Sequence, residues 1–267
     1  MERFGLRLFV AGAGPAYSDR PGALGSAYVV DAGAGRPIVL DLGQGTFPNL
    51  FRMGPPETFA AVLVSHLHPD HYVDLVPLRH YLKFERPDAG PLRVVAPSGL
   101  TDRLDAAAGE DAFCHGTFSI AALAPGPVEV DGAGVTVEAG RVTHRGEAYG
   151  FRVVPLGRGA DAPGLVYSGD CGRASDLEAL IRPGDTLLSE VSFGTGPVPV
   201  PDLHLDAAGV GDLAARTGVA AVLLTHLQMG YDAAATVDAV RARFGGPVRL
   251  VVPGDGEEIA GEPTPGD

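Results

Sequence analysis

Three histidines and an aspartate fall within six residues, His66, His68, Asp70 and His71, directly after the apolar run Val62-Leu63-Val64. So many ionisable groups at the end of a buried-type strand are costly unless they bind something. Alternation along an extended segment puts His66 and His68 on one side, and a helix starting at Pro69 aims Asp70 and His71 into the same space. Mixed imidazole and carboxylate donors suit zinc and related divalent ions. Four side chains cannot close two coordination spheres, so later strand ends are expected to add ligands. His144 follows the strand-like stretch 135–142, Asp170 follows Val166-Tyr167-Ser168-Gly169, and His226 follows Ala221-Val222-Leu223-Leu224-Thr225. Taken singly, a strand-end histidine is more often a surface or hydrogen-bonded residue, and Asp170 between Gly169 and Gly172 is a turn former. The density at 66–71 makes them candidates as a set.

The elements that must position these groups are short. Apolar runs rich in Val, Leu and Ile predict strands over 6–10, 27–30, 38–40, 61–64, 92–95, 135–137, 151–154, 165–167, 186–188, 220–224 and 248–252. Several are apolar on both faces, as strands between two layers are. Helical periodicity predicts helices over 75–84, 99–108, 175–181, 206–217 and 233–244. Glycine and proline are spread through the connections, so no linker divides the chain. Residues 1–253 are expected to form one domain and 254–267 a flexible tail.

Bulk composition narrows the function. With 20 basic and 33 acidic residues the net charge is −13, which repels polyanions, so nucleic acid is not an expected partner. Two cysteines, Cys114 and Cys171, make no disulfide framework, and no apolar run approaches the roughly 20 residues of a membrane span. A cytoplasmic protein with a small-molecule substrate and no membrane partner is expected.

His-Leu-His-Pro-Asp-His at 66–71 resembles the His-x-His-x-Asp-His signature of the metallo-β-lactamase superfamily. Asp41-Leu42-Gly43-Gln44-Gly45-Thr46, Ser168-Gly169-Asp170 and Leu224-Thr225-His226 are similar to segments of its ribonuclease Z and small-phosphodiesterase branch. The resemblance implies an α+β fold, a four-layer αββα sandwich with the site at one edge of two sheets. It implies two divalent metal ions, zinc first, with manganese or iron as alternatives. His66, His68 and His144 would hold one ion, Asp70, His71 and His226 the other, with Asp170 bridging. A homodimer is an assembly found among such relatives.

A metal pair of this kind would turn water into hydroxide at neutral pH, and the reaction class is hydrolysis. Asp70 is a candidate for orienting or deprotonating that water as well as a ligand. Glu190, ending an apolar run, and His204, just before the helix at 206–217, are candidates for assisting the leaving oxygen; the plainer alternative is a surface glutamate and a histidine at a helix start. Glu190-Val191-Ser192 and His204-Leu205-Asp206 resemble the glutamate–histidine pair of ribonuclease Z-like enzymes imperfectly. Those enzymes carry a glycine- and basic-rich arm between the third histidine and the bridging aspartate. Here the interval from His144 to Asp170 holds only Arg145, Arg152 and Arg158 and has room for two strands and a turn. The leading substrate is therefore a small phosphodiester, a cyclic nucleotide or cyclic phosphate. The alternatives are an ester, thioester, lactone or sulfate ester on the same site, transfer-RNA 3′ processing without the arm, and a catalytically silent metal-binding or sensing protein. The expectation for His80, on the helix at 75–84, is a surface or interface place. His115 is a weaker candidate for lining the pocket, and Cys171 is expected to be a small buried residue.

Overall fold

A computed structural model of the chain describes residues 5–20 and 22–259. Two seven-stranded mixed sheets stack face to face. The first contains β1 (Leu6–Ala13), β2 (Ser26–Asp31), β3 (Ile38–Leu40), β4 (Ala61–Leu63), β5 (Leu92–Ala96) and β6 (Phe118–Ala122) in sequential order. The second contains β7 (Gly126–Val128), β8 (Val135–Arg141), β9 (Tyr149–Pro155), β10 (Leu165–Tyr167), β11 (Thr186–Glu190), β12 (Ala221–Thr225) and β13 (Val248–Leu250), again in sequential order. A last strand, β14 (Gly256–Ile259), pairs antiparallel with β1 and closes the outer edge of the first sheet.

Strand alternation builds the layers. Leu8 and Val10 of β1 point between the sheets, where they join Tyr28, Leu40, Val153, Tyr167 and Leu188, while Phe9 and Ala11 point outward. The outward face of the first sheet is covered by α3 (Leu75–Glu85) and α4 (Leu100–Ala108), which bury Leu78, Leu82 and Leu104 on Val29, Val62 and Val94. Two single-turn helices, α1 (Phe47–Leu50) and α2 (Pro69–Tyr72), sit at the strand ends. On the second sheet α5 (Ala207–Thr217) and α6 (Ala233–Arg241) bury Val210, Leu213 and Val240 on Val222 and Leu224. Asp206 caps α5 by accepting from Gly209 N, and Gly218 ends it at φ 69°. The order helix, sheet, sheet, helix is the four-layer sandwich expected from the sequence.

Some elements depart from that expectation. The helix expected over 175–181 is a 3₁₀ turn, Ala174–Leu177; Leu177, Leu180 and Ile181 do bury, but Pro183 and Gly184 leave no room for further turns. Strands β6, β7 and β14 gave no usable signal, β7 being Gly-Pro-Val at a sheet edge and β14 the acidic Gly-Glu-Glu-Ile. Thus 256–259, within the segment expected to be a flexible tail, form an edge strand; residues 260–267 lie outside the described residues. Between His144 and Asp170 run only β9, a short connection and β10. Arg152 in that interval is buried, its guanidinium donating to both oxygens of Asp185 and to the carbonyls of Ala160 and Ala162. It ties down the connection and offers nothing to a phosphate backbone.

Candidate metal centre

All seven predicted ligands converge at one edge of the sandwich. His66 and His68 lie past the C-terminal end of β4, and Pro69 at the first position of α2 turns Asp70 and His71 inward. His144 follows β8, Asp170 follows β10 and His226 follows β12, so crossovers between strands bring distant residues to the same rim. Gly43 explains part of the Asp-x-Gly-x-Gly-Thr segment: a side chain there would meet the carbonyl oxygen of Asp70 at 1.8 Å. A glycine is what lets this loop pack flat against α2.

Potential donor atoms gather into two groups whose atoms lie within 4.8 Å of one another, His66, His68, His144 and Asp170 in one, Asp70, His71 and His226 in the other. Asp170 faces both. Its Oδ2 is 3.7 Å from His66 Nε2 and 3.8 Å from His144 Nε2, while Oδ1 is 3.3 Å from His71 Nε2 and 3.5 Å from His226 Nε2. A third grouping, Asp170, His204 and His226, was not foreseen in the sequence.

Four of the five cluster histidines are held from behind through Nδ1. His71 Nδ1 donates to Asp41 Oδ2 at 2.7 Å and His144 Nδ1 to the carbonyl of Leu203 at 2.7 Å. Ser65 gives its own proton to Asp41, so its Oγ accepts from His66 Nδ1 at 3.1 Å. Ser192 likewise gives its proton to Glu190 Oε2 and accepts from His226 Nδ1 at 2.9 Å. Each arrangement fixes the tautomer whose Nε2 carries a lone pair into the cluster, the usual support for a metal-binding imidazole. His68 is turned the other way, its Nδ1 lying 3.2 Å from His144 Nε2. Asp41 and His226 adopt φ of 59° and 58°, conformations that cost a non-glycine residue energy and that cluster at functional sites.

Electrostatics at this edge call for a cation. Burial pushes Asp170 toward its neutral form, yet His226, His71 and His66 hold its carboxyl well below the usual range. Burial acts the same way on Asp70, but the neighbouring His71 and His226 bring it to about 2. Burial also opposes charge on His71, and there Asp170, Asp41 and Asp70 override it and hold the imidazole well above its ordinary value. His66 goes the other way, its basicity suppressed by burial and then by charge on His71. The buried atoms His66 Nε2 and Asp170 Oδ1 make no hydrogen bond within the protein. Orphaned buried donors and acceptors are rare in folded proteins. A divalent ion satisfies both at once, and the imidazole–carboxylate donor set fits it.

Beside the cluster, His204 Nδ1 lies 3.0 Å from Glu190 Oε1 and 3.8 Å from Asp170 Oδ2. The expected pairing of Glu190 with His204 is thus present in space, with Glu190 fully buried at the end of β11 and also accepting from the backbone of Cys171, Ser192 and Leu205. Burial alone would lower the His204 pKa, but the Glu190 carboxylate raises it. His204 Nε2 has no partner among the described residues. Asp41, Ser65, Tyr167 and Ser192 are the supporting residues that sequence reasoning missed: Tyr167 donates to Asp41 Oδ2 at 2.6 Å across 126 positions of sequence. Asp41 did stand in a quoted motif, but nothing local showed that His71 would lean on it.

His80 is exposed on α3, as expected, and His115 is exposed and belongs to neither donor group. Cys171 is fully buried and its thiol is pushed up by that burial; Cys114 is also a buried free thiol. Gly12-Ala13-Gly14 borders the site, since Ala13 O accepts from His226 N at 2.9 Å.

Two stacked sheets flanked by helices, with a histidine–aspartate metal cluster at one edge, define a metallo-hydrolase of the metallo-β-lactamase fold. The chain belongs to the β-lactamase superfamily, whose domain model, described as "Beta-lactamase superfamily domain", matches residues 27–227. Uncharacterized protein Rv1339 of Mycobacterium tuberculosis is 34% identical over 239 residues, covering 87% of this chain and 85% of its own. Ribonuclease Z of Mycobacterium bovis is 26% identical over 246 residues, covering 83% and 85%. The crystal structure of the metallo-β-lactamase fold protein YhfI from Bacillus subtilis superposes with a TM-score of 0.82 at 20% identity, covering 95% of this chain and 99% of that one. No helix among the described residues is long and apolar enough to cross a membrane.

Proposed function

We propose that the protein is a phosphodiesterase acting on small phosphodiesters of the cyclic nucleotide or cyclic phosphate kind, with two divalent ions, zinc first among them. The ligands in this reading are His66, His68 and His144 for one ion, Asp70, His71 and His226 for the other, and Asp170 between them. When bound, the ions supply Lewis acidity at the phosphoryl oxygens and make water nucleophilic at neutral pH. Asp70, kept ionised by its histidine neighbours, accepts a hydrogen bond from the attacking water and orients it.

The observation that carries the reading is the His204–Glu190 pair, 3.0 Å apart and beside the donor cluster. An alkoxide leaving a phosphodiester is a poor leaving group and needs a proton. Glu190 holds Nδ1 and favours the imidazolium, which leaves Nε2 to deliver that proton. Ser192 joins this pair to His226, so the proton donor is tied to a residue that would hold one of the ions.

Small substrates follow from what the chain lacks room for. The stretch from His144 to Asp170 is a strand pair whose central arginine is spent on Asp185, and the net charge is −13. Phosphate contacts of the number that long RNA requires are undersupplied. The relatives that bear the name ribonuclease Z lend the phosphodiester chemistry, while a small-molecule substrate, no nucleic acid and no membrane is the reading for this chain. Two unpaired buried thiols fit a cytoplasmic setting.

The test is turnover of bis(p-nitrophenyl) phosphate beside a lactone and an aryl sulfate. Cleavage of the phosphodiester is expected to dominate. Cleavage of the lactone alone overturns the proposal in favour of a carboxylic ester hydrolase, and full metal occupancy with no hydrolysis of any of the three points to a binding or sensing protein.

A further inference from the structure

Alongside the cluster lies a cleft of about 510 Å³ that begins at His68 and runs toward the start of α4. Its volume is that of a small-ligand site. Arg103 of α4 and Arg145, the residue after His144, both line it. Both side chains are exposed, and neither makes a hydrogen bond or ion pair among the described residues. That is uncommon in this acidic chain, where Arg79 is paired with Glu110, Arg152 with Asp185, Arg173 with Asp202 and Arg216 with Glu178. Of the two acids in the lining, Glu147 is already committed to Ser98, Tyr149 and Arg141. Asp102 is left as the single uncommitted negative charge against two guanidinium groups.

Guanidinium forks match phosphate oxygens in geometry and in charge, and they are weakly hydrated enough to release water on contact. The cleft opens from His68, whose ring neighbours His144, and the His144 ring in turn neighbours that of His204. We infer that this cleft is a binding site for a second phosphate carried by the substrate, so that the preferred substrate is a small phosphodiester bearing another phosphate group. The inference rests on the phosphodiesterase reading for the identity of the scissile bond, and on the unpaired arginines for the second group. Arg103 and Arg145 hold the distal phosphate and fix which end of the substrate faces His204.

Calorimetric titration of the protein as purified with thymidine 3′,5′-bisphosphate and with thymidine 5′-monophosphate tests it without relying on turnover. The bisphosphate is expected to bind at least about tenfold tighter. In the double variant Arg103→Gln with Arg145→Gln the preference is expected to fall to about one; Asp102→Asn, which removes the opposing charge, is expected to increase it. All three positions are exposed, so folding is not at stake. Equal affinity of the wild-type protein for the two nucleotides, or a preference that survives in the double variant, overturns the inference. Failure of the wild-type protein to cleave bis(p-nitrophenyl) phosphate, with the preference intact, strikes the phosphodiesterase reading instead.

Discussion

Asp41→Asn separates support of the metal cluster from the cluster itself. Asp41 is fully buried, and four donors converge on its carboxylate: Ser65 N at 2.6 Å, Ser65 Oγ at 2.7 Å, His71 Nδ1 at 2.7 Å and Tyr167 OH at 2.6 Å. Alanine would strand all four, at about 1–3 kcal/mol each, which approaches the whole stability of a domain. Asparagine keeps the size and keeps Oδ1 for Ser65 N, but puts an NH₂ where Oδ2 faced three donors. The Ser65 and Tyr167 hydroxyls can rotate and accept. The His71 ring cannot: it must either leave Nδ1–H unpaired or move its proton to Nε2, the nitrogen that faces Asp170. Either outcome costs about 1–3 kcal/mol, and the second falls directly on metal binding. Zinc affinity, measured by competition with a chromophoric chelator, is expected to drop roughly 10- to 100-fold while the variant remains folded by circular dichroism. Unchanged zinc affinity in a folded Asp41→Asn protein would refute the claim that Asp41 sets the His71 tautomer.

His204→Ala is expected to retain metal in elemental analysis and to slow phosphodiester turnover by about 10²- to 10⁴-fold; metal loss would make His204 a ligand, as its place near Asp170 and His226 allows. Gly43→Ala drives a methyl group into the Asp70 carbonyl and is expected to displace α2, lowering both metal content and melting temperature; a variant with wild-type metal content would show that the loop yields at no cost. Stripping metal with a chelator is expected to lower the melting temperature, because orphaned His66 Nε2 and Asp170 Oδ1 lose their partner. A melting temperature indifferent to chelation would speak against an ion between them.

How much of this was legible in the sequence depended on how local each signal was. The cluster at 66–71 is contiguous, and His144, Asp170 and His226 each stood alone after an apolar run, so strand ends could be matched to candidate ligands before any fold was seen. Strands apolar on both faces pointed to sheets between layers, and the four-layer sandwich came from the resemblance carried by the motif at 66–71. Ser65, Ser192 and Tyr167 were illegible because a hydroxyl carries no pattern and each also makes a contact across tens of residues or more, to Asp41, His226 and Asp41 respectively. Glu190 and His204 were visible as residue types, but only the ends of β11 and of the loop before α5 place them 3.0 Å apart. The cleft beside His68 draws on α4 and on the turn after β8, segments with no sequence signal linking them. Edge strands β7 and β14 were lost for a different reason: glycine, proline and acidic residues are tolerated there because one side of the strand is unpaired.

The central claim is that seven side chains from four separate segments grip a pair of ions through a shared Asp170. Elemental analysis of protein loaded with excess zinc and then freed of loose metal by gel filtration addresses it most directly. Two zinc ions per wild-type chain, with both lost in Asp170→Ala, is the expected result; a single ion in the wild-type protein, or two ions still bound without the Asp170 carboxylate, would contradict it.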